Sequence, residues 1–469
     1  MRKVAPRLPR ILSDAEIESM HETALRVIEE VGIRVDNKRA LNLLSRRDGV
    51  TIREHRVCIE PRLVEGCVKE HRRYLESMPD RMVNSDRVEI IKHVSGVNRF
   101  ILDPNTDEIR PVTVKDLVEL TKLVDALHSW GVRGAAPGVP QDVPPQLQAI
   151  TAFWIGSKYS RCGGGTGATS RPLQAEEYLY EMYKIMEKPF SLPVYVVSPL
   201  SLKGEAFEIA LHFVGREGVS FSVSSMPVMG MSAPISFPAA FVLAMAEVIG
   251  VFTIMNLIAE SHRVTFSINA HPFDMTYGNI VFGSPEHNLC DLIQIEVNRY
   301  YGHKTISTRS IRSMAARPGV QAQAEKAASA IVGALAGSRS FSSAGLLALD
   351  EVFSAEQLII DCEIVDYTTR FVEGFSFDIK DLDFDIIKEG VAKGNFITHR
   401  TTLKNLRKVY WTPKLFEHKM FRQREGEMTT KENVQKIIKE KIAEYDFKLE
   451  EGKERRLDEI YKKACKFLI

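Results

Sequence analysis

The chain has 469 residues, 44% hydrophobic and 26% charged, an ordinary globular composition. Sixty-two basic against 61 acidic residues leave a formal charge of +1, so no global field draws in nucleic acid or an anionic membrane, and neither partner is expected. Six scattered cysteines without a C-x-x-C pair exclude a zinc ribbon and a disulfide scaffold. With no apolar signal core at the N-terminus, they predict a cytoplasmic protein that binds no metal.

In chain order, the first helix is marked by Ser13 and Glu16, which have capping-box spacing. Ile17, Met20, Ala24, Val27, Ile28 and Val31 share one face, and Gly32 supplies the stop. Residues 33–110 read as short strands and helices, and a helical segment, "TVKDLVELTKLVDAL" (113–127), follows. From about 128 the pattern alternates between short β-rich runs (131–137, 192–199, 218–227, 263–272, 303–310 and 338–345) and long helical segments. Such alternation implies a parallel sheet with right-handed crossovers. The apolar run 237–260 contains Glu247 and reads as a buried helix rather than a membrane span. After about 385 the chain is charged and helical.

Six or more such units over some 250 residues predict an α/β protein, a (β/α)8 TIM barrel, with a doubly wound open sheet as the competing architecture. The expected organisation is an N-terminal α+β extension (1–110), the barrel (111–395) and a C-terminal helical appendage (396–469). Polar residues gather at the strand ends: Tyr195 and Ser198, Ser224 and Ser225, Asn269 and His271, Thr308 and Arg309, Ser342 and Ser343. Active sites of barrels sit at those ends.

The glycine loop "RCGGGTGATSRP" (161–172) satisfies the loose G-x-G-x-x-G/A spacing at Gly163, Gly165 and Ala168. A phosphate fingerprint needs a strand running directly into the glycines, and "AFWIGSKYSR" reads instead as a helix end. The loop is therefore expected to form a rim rather than hold a nucleotide. His271, between a strand and Pro272, suits a base, a ligand or a satisfied polar residue. Arg309 and Arg312 suit a fork for a carboxylate. No H-E-x-x-H or G-x-S-x-G occurs, so local motifs assign no catalytic residue and leave a hydrolase or lyase open.

Seven stretches in order carry a resemblance. They are "LSDAEIESMHETALRVIEEVGIRV", "RPVTVKDLVELTKLVDAL", "PQDVPP" (140–145), "MPVMGMSAPIS" (226–236), "FGSPE" (282–286), "EQLIIDCEI" (356–364), and "GNFITHRTTL" with "YWTPKLFEH". Together they resemble the trimethylamine methyltransferase family, including its members that lack pyrrolysine and act on quaternary amines such as glycine betaine. The resemblance implies a (β/α)8 barrel and methyl transfer to the Co(I) corrinoid (cobalamin) of a separate partner protein, without S-adenosylmethionine. A non-catalytic amine-binding member is the alternative within the family. The chain departs from the family in "SMAARPGVQAQ" (313–323), which keeps Gln321 and Gln323 without the acid and lysine. It also carries Asn395 and Thr401 beside His399.

A small methylated amine is then the expected ligand, and a homo-oligomer the expected assembly. A quaternary cation wants aromatic faces. Tyr195, Phe221, Phe273, Tyr277, Phe341 and Phe353 are the candidates at or just beyond strand ends, and Arg309, Arg312 or His271 would hold a carboxylate.

Overall fold

Ser13 caps the first helix, Asp14–Arg26, with a complete capping box to Glu16, and Ile17, Met20 and Ala24 face the core. A π turn, Val27–Val31, follows and ends at Gly32, at φ +72°. The wider turn breaks the 3.6-residue period, so Val31, expected on the buried face, is 46% exposed. The computed structural model describes residues 2–78, 90–134, 136–165, 172–260, 263–303, 309–379, 383–423 and 428–468. Next comes an antiparallel sheet of Ile33–Val35, Arg56–Ile59 and Val50–Arg53. The short strand Ser201–Leu202 pairs in parallel with its edge and ties this unit to the rest.

The expected alternation of strands and helices is present, with strands at Val132–Arg133, Phe190–Val196, Val219–Ser225, Arg263–Ser267, Arg309–Ser310 and Ser340–Ser342. The expected closed barrel is not found. Among the described residues these strands, with Ile91–His93, form two separate parallel sheets. One runs Arg263–Ser267, Val219–Ser225, Phe190–Val196; the other runs Arg309–Ser310, Ser340–Ser342, Ile91–His93, Val132–Arg133. Among the described residues no sheet closes on itself, and the architecture is mixed α/β with several small sheets. The physical reason is local. The strands of the second sheet are two or three residues long and offer few ladder hydrogen bonds, and no described ladder joins its edges to the first. Alternation of strand and helix is common to open and closed parallel sheets, so it does not specify closure.

The largest core cluster lies around the helix Phe237–Ala259, which is buried along most of its length. Among the described residues it is the one helix long and apolar enough to span a membrane, and most of its apolar stretch is inside the molecule. Glu247 is fully buried within it. Its carboxylate accepts the Leu200 N–H at 2.9 Å and the Ser198 hydroxyl at 2.8 Å. Burial pushes its pKa up, and these hydrogen bonds oppose the rise. The contacts pin the turn that follows the strand of Tyr195. A second cluster holds Phe341, Phe353 and the helix Ala355–Glu373. The C-terminal helix Glu451–Phe467 packs on the helices Pro145–Tyr159 and Leu173–Ile185.

Candidate active site

A cavity of about 530 Å³ opens at the C-terminal ends of Phe190–Val196, Val219–Ser225, Arg263–Ser267 and Arg309–Ser310. Tyr195 stands at the end of the first strand and is 42% exposed, so it forms part of the rim. The segment after the second strand is fixed to the segment after the third. His271 N–H donates to the Pro227 carbonyl at 3.0 Å, and Met229 N–H donates to the His271 carbonyl at 2.9 Å. Met226 and His271 thereby reach the same cavity.

The remaining wall comes from the helix Pro285–Tyr300. Ser284 caps it, accepting the His287 N–H at 3.2 Å, and Pro285 occupies the first turn. His287, Asp291 and Gln294 follow at intervals of four and three, which places them on one helix face toward the cavity. His287 is 2% exposed, and its Nδ1 lies 3.8 Å from the Asp291 carboxylate. Its ring stacks at 6.2 Å on His271 and meets the Phe282 ring edge-on at 4.8 Å.

Arg312 completes the site. Its guanidinium sits over the Phe282 ring at 4.5 Å. Its Nε donates to the Ser343 hydroxyl at 3.1 Å, and a terminal nitrogen lies 3.7 Å from the Asp350 carboxylate. Burial lowers the guanidinium's pKa, with Asp350 opposing, yet an arginine remains charged. The cavity thus offers aromatic faces and a carboxylate to a cation, and a guanidinium to an anion.

Of the residues singled out from sequence, Tyr195, His271 and Arg312 line this cavity, with the strand-end residues Ser224, Ser225 and Asn269. Phe273 lies in a small hairpin with Asn279–Ile280, and Tyr277, in its turn, is 78% exposed. Phe221, Phe341 and Phe353 are buried in the hydrophobic clusters. Gly345, at φ +81°, lies so close to Phe353 that a Cβ there would sit 2.4 Å from the ring. The side chain of Arg309 lies outside the described residues, as do Thr308 and positions 166–171 of the glycine loop. The helix Pro145–Tyr159, not a strand, precedes that loop. Gly163, Gly164 and Gly165 line a separate hollow of about 320 Å³ with Gly96 and Gly134.

Sequence reasoning missed Phe282, His287, Asp291 and Gln294. The available signal was "FGSPEHNLCDLIQ", a Ser-Pro helix start followed by polar residues on one helical face. A cavity of about 600 Å³ between the helices Val320–Leu335 and Ala355–Glu373 is mainly apolar, with Glu356 its only charged lining residue. Among the described residues no group of three or more His, Cys, Asp or Glu is placed to hold a metal.

Fold and cavity together give a mixed α/β protein with a candidate site at the carboxyl ends of parallel strands. The sequence profile of the trimethylamine methyltransferase (MTTB) family matches residues 2–465. The chain belongs to that family and is a methyltransferase. Trimethylamine methyltransferase MttB of Desulfitobacterium hafniense (strain DSM 10664 / DCB-2) is 26% identical over 409 residues, covering 84% of this chain and 81% of the relative. Glycine betaine methyltransferase of Desulfitobacterium hafniense (strain Y51) is 24% identical over 428 residues, covering 88% and 87%. Trimethylamine methyltransferase MttB of Methanosarcina thermophila is 29% identical over 236 residues, covering 50% and 48%.

Proposed function

We propose that the protein removes a methyl group from a quaternary amine of the glycine betaine type and passes it to the Co(I) corrinoid of a partner protein. The observation that carries this reading is the joint presence of Tyr195, Phe282 and Arg312 around one cavity. The ring face of Tyr195 attracts a trimethylammonium group, with Asp291 as the nearby negative charge, while Phe282 holds the Arg312 guanidinium on its own ring. Arg312 presents a planar fork to the substrate's carboxylate. A relative that bears the name glycine betaine methyltransferase matches nearly nine-tenths of the chain.

The chemistry suits such a site. When the N–CH3 bond of a quaternary amine breaks, its electron pair stays on nitrogen and a neutral tertiary amine leaves. No proton has to be delivered, so the wall needs no general acid. The corrinoid, carried by another protein, would supply the attacking electron pair. The residues present fit an incoming group: Tyr195 and Met226 at the rim are 42% and 53% exposed, which leaves the cavity open from outside.

The test mixes the protein with a Co(I) corrinoid protein and, in parallel, glycine betaine or trimethylamine, and follows the amines by proton NMR. Dimethylglycine should appear in step with betaine consumed. Turnover of trimethylamine alone, or of neither amine, overturns the reading.

A further inference from the structure

Behind the cavity wall, Lys326 of the helix Val320–Leu335 and Asp361 of the helix Ala355–Glu373 pair at 2.8 Å, both side chains fully buried. Neither lines the cavity. A buried ion pair seldom repays the loss of its hydration, and its best-attested use is to specify geometry. The geometry specified here is one turn. Asp361 accepts the Gly345 N–H at 2.7 Å and the Gln357 side-chain amide at 2.9 Å. Lys326 donates to the Ser343 carbonyl at 3.5 Å. The pair therefore brackets Ser343–Gly345 from both ends.

That turn needs holding. Ser343 has φ +67°, a left-handed conformation that residues other than glycine rarely adopt. Its hydroxyl is the hydrogen-bond acceptor for Arg312 Nε at 3.1 Å, while Asp350 stands further off at 3.7 Å. A guanidinium clasps a carboxylate well only when its fork is held in one plane and one position.

We propose that Lys326 and Asp361 are positioning residues that act through Ser343 on Arg312, and that they make the site selective for quaternary amines bearing a carboxylate. This rests on the substrate reading above. The pair touches no substrate; it sets where the turn stands, the turn sets the Ser343 hydroxyl, and the hydroxyl sets the guanidinium.

The experiment uses two variants of the full chain. Ser343→Ala removes only the link to Arg312, and Asp361→Asn removes the charge that pairs with Lys326. Titration calorimetry with glycine betaine and with tetramethylammonium, which has no carboxylate, reads the selectivity. Glycine betaine should bind about tenfold more weakly to each variant, the effect of one lost charge-assisted hydrogen bond. Tetramethylammonium should stay within about twofold. Equal losses for both ligands, or unchanged betaine binding, overturn the proposal.

Crystal structures of the same variants supply a readout free of substrate. The guanidinium should leave the Phe282 face in both variants, and an unmoved Arg312 overturns the positioning role. If the unmodified protein binds no betaine, the substrate reading fails instead, and the place of Arg312 in the variants still decides the positioning.

Discussion

Arg312 brings a positive charge into a partly enclosed space and spreads it over the Phe282 ring, where the quadrupole partly offsets lost hydration. Aromatic residues elsewhere on the strands divide by environment. Tyr195 is a rim residue at 42% exposure, whereas Phe353 is 1% exposed and packed in a core. The two leucine substitutions should therefore part. Tyr195→Leu removes a ring face and should weaken a quaternary ammonium ligand by about two- to thirtyfold, from roughly 0.5–2 kcal/mol per desolvated contact. Its neutral carbon isostere should lose little. Phe353→Leu should leave ligand binding alone and cost about 1–2 kcal/mol of stability, through the gap left in the core. Calorimetric titrations of both ligands and urea unfolding of both variants check this. Weaker binding with unchanged stability in Phe353→Leu would place that ring at the ligand.

Among the elements, the C-terminal helix Glu451–Phe467 shows how an amphipathic segment gains a place. Leu457 and Ala464 are fully buried against the neighbouring helices. Tyr461 stacks on Trp154 with ring centroids 4.4 Å apart and planes 3° apart, and its hydroxyl lies 3.1 Å from that of Thr151. Trp154 Nε1 donates to Asp458 at 2.7 Å, and Lys158 adds an ion pair to the same carboxylate at 3.0 Å. That the segment is charged and helical was legible in the sequence. Its receiving surface was not, because Trp154 lies some 300 positions away and no local pattern links the two. Tyr461→Ala should lower stability by about 2–4 kcal/mol, since it removes a stacked ring and opens a void. Thermal unfolding reads the loss, and a melting temperature equal to that of the unmodified protein would mean the helix contributes no packing.

For the molecule as a whole, His71 and His303 contribute to the loss of stability in acid. His71 stacks on Phe266 at 4.6 Å, with His303 5.6 Å away. Burial pushes both histidines down to about 4, and for His71 the charges of His303 and Arg263 add to the shift. The unfolded chain, with ordinary histidines near 6.5, binds more protons than the folded one between those values. Stability is thus fully present above about pH 6.5 and falls as the pH drops toward 4, by on the order of 1–3 kcal/mol for each group. Asp116 acts in a lower window. Burial raises its pKa, but hydrogen bonds from Arg110 and Thr113 outweigh that and hold it at about 2. Its contribution is therefore lost between about pH 4 and pH 2. Urea midpoints measured from pH 7.5 to 4.5 should stay level to about pH 6.5 and then fall, and His71→Phe should flatten the fall. A midpoint that rises on acidification would contradict this account.

The sequence by itself determined what depends on near neighbours. The Ser13–Glu16 capping box, the order of strands and helices, and the polar strand ends at Tyr195 and His271 all follow from local hydrogen bonding and side-chain periodicity. Seven short stretches in order also carried the family, which the profile match over residues 2–465 bears out. Tertiary structure alone decided how the strands pair. Strand–helix alternation serves open and closed parallel sheets alike, and only the ladders separate two sheets from a ring. It also decided which rings meet the cavity. A parallel strand covered on both faces carries apolar side chains on each, so Phe221 and Phe341 look in sequence like Tyr195. The helix face of His287, Asp291 and Gln294 meets the strand ends only through packing, and the Lys326–Asp361 pair behind Arg312 joins two separate helices. Their roles exist only once packing has brought those elements together.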